Sequence, residues 1–196
     1  MKQIKKLVIA THNKGKLAEF QAMLKPYGVE AVCAVDLNLP EPDETGTTFA
    51  ENAVLKAALA GQAASLPALA DDSGLCVNAL DGQPGLFSAR WAGAEKDFTM
   101  AMGKINAMLE GGDDRSAYFT ATLALSMPDG DCEIFEGVIN GTLVWPPRGT
   151  NGHGYDPIFV PEGETRTFAE MSPEEKEKIS HRAIAFKKFA VATFGS

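Results

Sequence analysis

Residues Thr11-His12-Asn13-Lys14-Gly15-Lys16 set two lysines, a hydroxyl and an amide between an apolar run and a helical apolar pattern at Leu17, Phe20 and Leu24. That order fits a buried strand, a tight polar turn and a helix. Backbone N–H groups at a helix start, beside lysines, favour an anion, and phosphate suits them. The spacing is not G-x-x-x-x-G-K-[ST]. An ordinary strand-to-helix turn with solvated lysines uses the same residues.

Ala70-Asp71-Asp72-Ser73-Gly74 is a second chemically loaded segment. Adjacent acids after an apolar run are costly to bury unless paired or bound to a cation. Neighbouring strand side chains point to opposite faces, so one aspartate can enter a cleft while the other braces a turn. A carboxylate so placed can bind Mg²⁺ or take a proton from water. An Asx-type turn is the alternative. Glu44, in a polar loop, is a candidate to complete a hard-cation site with one of these aspartates. Lys56 sits among alanines and leucines, which fits a directed ammonium as well as an ordinary surface lysine on a helix. No cluster has zinc-ligand spacing.

The three histidines, His12, His153 and His181, all fall in polar, loop-like or helix-starting segments. Asn151-Gly152-His153-Gly154-Tyr155-Asp156-Pro157 combines glycines with two flat rings, which suits closure over a planar base as well as a plain glycine-rich turn. In Ser180-His181-Arg182, the arginine can donate to a carbonyl on a base edge or lie exposed on a helix.

Strands are expected near residues 5–10, 30–34, 68–70, 75–79, 116–127, 132–144 and 158–160, with the fourth resuming after a break at residues 71–74. Helices are expected near residues 15–25, 49–64 and 97–109, from Ser172 onward, and at the C-terminal end, where Phe186, Phe189, Ala190 and Thr193 share a face. Thr48 with Glu51, and Ser172 with Glu175, have the spacing of capping boxes. The alternation of elements predicts an α/β protein, and the hairpin at Pro128-Asp129-Gly130 predicts a mixed sheet.

The chain has 196 residues, enough for one domain with two lobes around a cleft. A net charge of −8 argues against nucleic-acid binding. No apolar stretch approaches a membrane span, and no secretory segment is evident. Cys33, Cys76 and Cys132 are widely spaced and read as buried, reduced thiols, so a cytoplasmic setting is expected.

The ordered set of motifs resembles the inosine triphosphate pyrophosphatase family, the non-canonical purine nucleoside triphosphate pyrophosphatases. It comprises Thr11–Lys16, Glu44-Thr45-Gly46, Phe49-Ala50-Glu51-Asn52-Ala53, Leu55-Lys56-Ala57 and Ala70-Asp71-Asp72-Ser73-Gly74-Leu75. Pro84-Gly85, Ser88-Ala89-Arg90, Gly154-Tyr155-Asp156-Pro157-Ile158-Phe159, Lys176 and Ser180-His181-Arg182 complete it. The resemblance implies an elongated two-lobed α/β fold with a nucleotide cleft, a homodimer, and Mg²⁺-dependent hydrolysis of ITP, dITP and XTP to monophosphate and pyrophosphate. By the same resemblance Thr11, His12, Asn13, Lys14, Gly15 and Lys16 hold the triphosphate with Ser73. Asp72 is the general base and a metal ligand, Glu44 is the second metal ligand, and Lys56 contacts phosphate. Asp71 gives further metal or catalytic support. His153, Gly154, Tyr155, Asp156, Lys176, His181 and Arg182 surround the base and sugar. His153 stands where family members often carry Phe, which adds a titratable edge to the contact. A pyrimidine triphosphate pyrophosphatase and a non-catalytic nucleotide sensor are the alternatives.

Overall fold

The computed structural model describes residues 4–195. The chain runs β1 (Lys6–Ile9), α1 (Lys14–Leu24), β2 (Glu30–Cys33), α2 (Phe49–Ala64) and β3 (Ala68–Val77). It continues through the short α3 (Ser88–Trp91), α4 (Phe98–Met108), β4 (Ser116–Ser126), β5 (Cys132–Leu143), β6 (Phe159–Pro161), α5 (Pro173–Ile179) and α6 (His181–Phe194). The strands form a six-stranded sheet in the order β2-β1-β3-β4-β5-β6. Strand β1 lies parallel to β2 and β3, with Val8 opposite Val32 on one side and Ala68 on the other. Parallel neighbours need a crossover, and α1 and α2 supply it. Strand β6 runs antiparallel to β5, so the sheet is mixed, as the hairpin pattern predicts.

Two compact units divide the described chain, one comprising residues 4–72, 121–137 and 184–195, the other 73–120 and 138–183. The first is built on Leu7, Ile9, Phe20, Leu24, Leu69, Leu123, Phe135, Phe186 and Phe189. The second is built on Leu75, Val77, Ile105, Phe119, Phe159 and Phe168. Phe186, Phe189, Ala190 and Thr193 are buried, so α6 presents the apolar face its periodicity predicts. Among the described residues no helix is long and apolar enough to cross a membrane.

The structure corrects several expectations. Strand β3 is continuous through Asp71, Asp72, Ser73 and Gly74, with no turn. Each buried carboxylate meets a lysine, so the acids do not force the strand to end. Cys132 is exposed, while Cys33 and Cys76 are buried. His181 packs its ring against Phe119 at 4.8 Å between centroids and 11° between planes, on an apolar surface that a helix-starting position did not suggest.

Candidate active site

In the first unit, α1 begins as the sequence predicts, and the N–H groups of Gly15 and Lys16 in its first turn already share a partner. Asn13 caps the helix, its Oδ1 accepting from Gly15 N at 2.9 Å and Lys16 N at 3.2 Å. The Asn13 N–H in turn donates to Thr11 Oγ1 at 3.1 Å. His12 donates through Nε2 to the Leu39 carbonyl oxygen at 3.1 Å. Lys14 is exposed, whereas Lys16 pairs with the buried Asp71 at 2.7 Å, Nζ to Oδ2.

The most concentrated chemistry lies around Lys56. Helix α2 starts with a complete capping box, Thr48 with Glu51, and carries Asn52, Ala53, Lys56 and Ala57 on its buried face. The Lys56 ammonium reaches Glu44 Oε1 at 2.7 Å, the Asp71 carbonyl oxygen at 2.9 Å and Asp72 Oδ1 at 3.1 Å. Burial opposes the charge on Lys56, but Asp72 and Glu44 outweigh it and raise its pKa above the ordinary lysine value. Burial raises the Asp72 carboxyl above the usual aspartate value; Lys56 and Lys16 pull it down, and Glu44 adds to the rise. The result is a buried carboxylate more basic than an exposed one. Successive residues of β3 face opposite sides, so Asp71 meets Lys16 on α1 while Asp72 meets Lys56 on α2.

Among the described residues no three His, Cys, Asp or Glu side chains stand together as a metal-ligand group. Glu44 and Asp72 form a pair of hard oxygen donors already gathered around one cation, the Lys56 ammonium. Such a pair fits a small divalent ion whose other positions are filled by water and phosphate oxygens.

Asn52 belongs to this cluster and was not singled out as a site residue from the sequence. Its amide donates to Asp72 Oδ2 at 3.2 Å. The signal was available: Asn52 and Lys56 are four residues apart, so two polar side chains share one face of an alanine-rich helix.

The second unit gathers the remaining candidates. Arg182 is 1% exposed and donates through its guanidinium to Ser73 Oγ at 3.1 Å. Lys176 pairs with the buried Asp156 at 2.7 Å and lies 5.5 Å from the Phe168 ring centre. Asp156 Oδ2 also accepts from His153 N at 2.8 Å. A side chain at Gly152 would collide with that carboxylate, which explains the glycine in the turn. His153 and Gly154 are half-buried.

Tyr155 is buried, with its ring edge-on to Phe98 and its hydroxyl donated to the Ser88 carbonyl oxygen at 2.7 Å. Burial raises its phenol pKa well above the ordinary value. Its ring thus forms part of the second unit's packed wall. Ser88 braces the strand that follows Ser73, accepting from Leu75 N at 2.9 Å and donating to Gly85 O at 2.7 Å.

The Ham1 family model matches residues 7–192. The dITP/XTP pyrophosphatase of Caulobacter vibrioides is 57% identical over 191 residues, covering 96% of this chain and 98% of its own. That of Bradyrhizobium sp. strain BTAi1 is 56% identical over 197 residues, covering 94% and 92% respectively. A HAM1 protein from Coxiella burnetii has a similar structure, with a TM-score of 0.89 at 40% identity over 98% of this chain and 100% of that one. The resemblance carried by the motifs thus extends over nearly the whole chain. The chain belongs to the Ham1 family.

Proposed function

We propose that this protein hydrolyses non-canonical purine nucleoside triphosphates, namely ITP, dITP and XTP, at the α–β bond to give monophosphate and pyrophosphate. The relatives named dITP/XTP pyrophosphatase support the substrate class. The observation that carries the chemistry is the buried Lys56 ammonium held between Glu44 and Asp72.

Asp72 accepts the proton of the attacking water, and its elevated basicity suits that task. Water adds to the α-phosphorus as the bond to the bridging oxygen breaks and pyrophosphate leaves. Lys56, with Lys14 and Lys16 of the first helix turn, neutralises the charge that develops on the phosphate oxygens. Lys16 stays directed because Asp71 holds it. Glu44 and Asp72 would hold a divalent cation, which we take to be Mg²⁺. When bound it would supply Lewis-acid stabilisation of the phosphates. Ser73 assists at the phosphates.

On the base side, Arg182 and His181 donate to the 6-oxo group of hypoxanthine or xanthine. They would be left unmatched against the 6-amino group of adenine. His153, Gly154 and Asp156, with Lys176 paired to Asp156, shape the surround of base and sugar. Tyr155 supports that surround from within the core. We further propose that the enzyme acts as a homodimer in the cytoplasm, without a nucleic-acid or membrane partner.

Product analysis with dITP, XTP, dATP, dGTP and dTTP, with and without Mg²⁺, tests this reading alongside Asp72→Asn. Monophosphate and pyrophosphate should form from dITP and XTP only with Mg²⁺. The folded variant should lose roughly 100-fold or more in kcat. An Asp72→Asn protein with unchanged turnover would remove the general base. Binding without turnover in the wild type would make the protein a sensor.

A further inference from the structure

The two oxygens of Asp72 are held by two residues of one helix, Lys56 on Oδ1 and Asn52 on Oδ2. Asn52 is 2% exposed, and its amide has a second engagement, since Gly46 N donates to its Oδ1 at 2.8 Å. The chemistry of its partners fixes the amide's orientation. An N–H must meet the amide oxygen, and a carboxylate must meet the amide nitrogen. Gly46 lies two residues after Glu44, so one side chain ties the loop bearing one acid of the proposed site to the other acid. Lys56 makes the parallel connection, from Glu44 Oε1 to Asp72 Oδ1.

The close approach also depends on Gly46. A Cβ there would stand 2.6 Å from Asn52 Oδ1 and 2.7 Å from Glu51 Cβ. Contacts that close are not sterically permitted, so the loop can reach the amide only without a side chain. A buried amide engaged at both ends leaves an unmatched polar atom if either contact is lost, which makes the link specific.

We propose that Asn52 is a positioning residue: it clamps the Asp72 carboxylate and latches the Glu44 loop to it, holding the two acids in register for divalent-cation binding and catalysis. The inference rests on the roles proposed for Asp72 and Glu44. It assigns Asn52 no contact with the nucleotide, so its removal should affect turnover more than substrate affinity.

Three variants separate its parts. Asn52→Leu removes both contacts at similar volume. Asn52→Asp keeps an acceptor for Gly46 N but sets a carboxylate oxygen against Asp72 Oδ2. Gly46→Ala leaves the buried face of α2 intact and displaces the loop. Steady-state kinetics with dITP would be combined with amide hydrogen exchange at Gly46 in protein free of metal and nucleotide. Thermal unfolding would establish that each variant is folded.

In Asn52→Leu and Gly46→Ala we expect kcat to fall about tenfold or more, with a rise in the Mg²⁺ concentration for half-maximal rate of about the same size. The KM for dITP should stay within about threefold of wild type, and Gly46 exchange should accelerate at least about tenfold. Asn52→Asp should keep wild-type exchange at Gly46 yet lose kcat. A folded Asn52→Leu protein with kcat within about twofold of wild type, or with unchanged exchange at Gly46, overturns the proposal. Asp72→Asn measured in parallel distinguishes the failures. If that variant is inactive while Asn52→Leu is not, only the positioning role falls; if it retains full turnover, the catalytic reading falls first.

Discussion

Lys56 holds its charge in a place where burial opposes it, and Glu44 and Asp72 supply the compensation. Removing one partner of a buried charge cluster strands the others. Lys56→Met should therefore lower stability by about 3 kcal/mol and leave two carboxylates facing each other. If that pair also takes a divalent ion, millimolar Mg²⁺ should restore part of the lost stability in the variant, because a cation returns to the same oxygens. Thermal unfolding of Lys56→Met with and without Mg²⁺ measures this, and equal Tm values in both conditions would count against the shared site. Arg182 is a separate case, since it is fully buried and hydrogen-bonded to Ser73. Arg182→Ala should reduce the preference for dITP over dATP by about a hundredfold in kcat/KM. A variant that keeps its full preference would remove Arg182 from base reading. The residue types at these positions were legible in the sequence because charges in alanine- and leucine-rich runs need a reason. Their partners were not. Asp71 and Asp72 look like turn residues until the lysines of two different helices are placed against them, and those contacts span 55 and 16 positions of chain respectively.

Helix boundaries were the most legible elements, because their signals are local. Thr48 and Glu51 form the box their spacing predicts, with Glu51 N donating to Thr48 Oγ1 at 3.1 Å and Glu51 Oε2 accepting from Thr48 N at 3.2 Å. Thr48→Ala should cost about 1 kcal/mol in chemical denaturation. The same box gives a pH signature. Hydrogen bonds from Thr47 N–H and its hydroxyl, joined by those of Thr48, hold the Glu51 carboxyl below its ordinary value of 4.5. A carboxyl lowered on folding stabilises the native state above its unfolded pKa, and that contribution is lost as pH falls through the folded value. The stability advantage of wild type over Glu51→Gln should therefore be present at neutral pH, decline as the pH falls below about 4.5 and vanish once it has passed the lower folded value. Urea unfolding across that range is the check, and a difference independent of pH would mean that the ionised carboxylate is not what caps α2. Strand β3 was less legible than the helices. Its middle residues break the apolar run, and the lysines that accommodate Asp71 and Asp72 within the strand come from other elements.

At the scale of the molecule, each unit has its own aromatic core, and the two should differ in what their disruption does. Phe135 is buried in the first unit, edge-on to Phe189 at 5.7 Å between ring centres. Truncating it should remove about 3 kcal/mol of stability through lost burial and a residual cavity. None of the proposed site contacts involves its side chain. The folded fraction of Phe135→Ala should accordingly keep its kcat and KM for dITP. Phe168 in the second unit packs 5.3 Å from Phe159 and 6.0 Å from Phe119, and Phe119 in turn carries the His181 ring. Its own ring centre also lies 5.5 Å from the Lys176 ammonium. A cavity there loosens the support of two proposed base-side residues, because close-packed neighbours relax into the space they are given. Phe168→Ala should lose a similar amount of stability and also raise the KM for dITP several-fold, with a smaller effect on kcat. Measured below the unfolding transition of both variants, this contrast separates a core that only stabilises from one that also sets recognition. Equal KM values in the two variants would mean that the aromatic stack of the second unit does not govern the base-side residues.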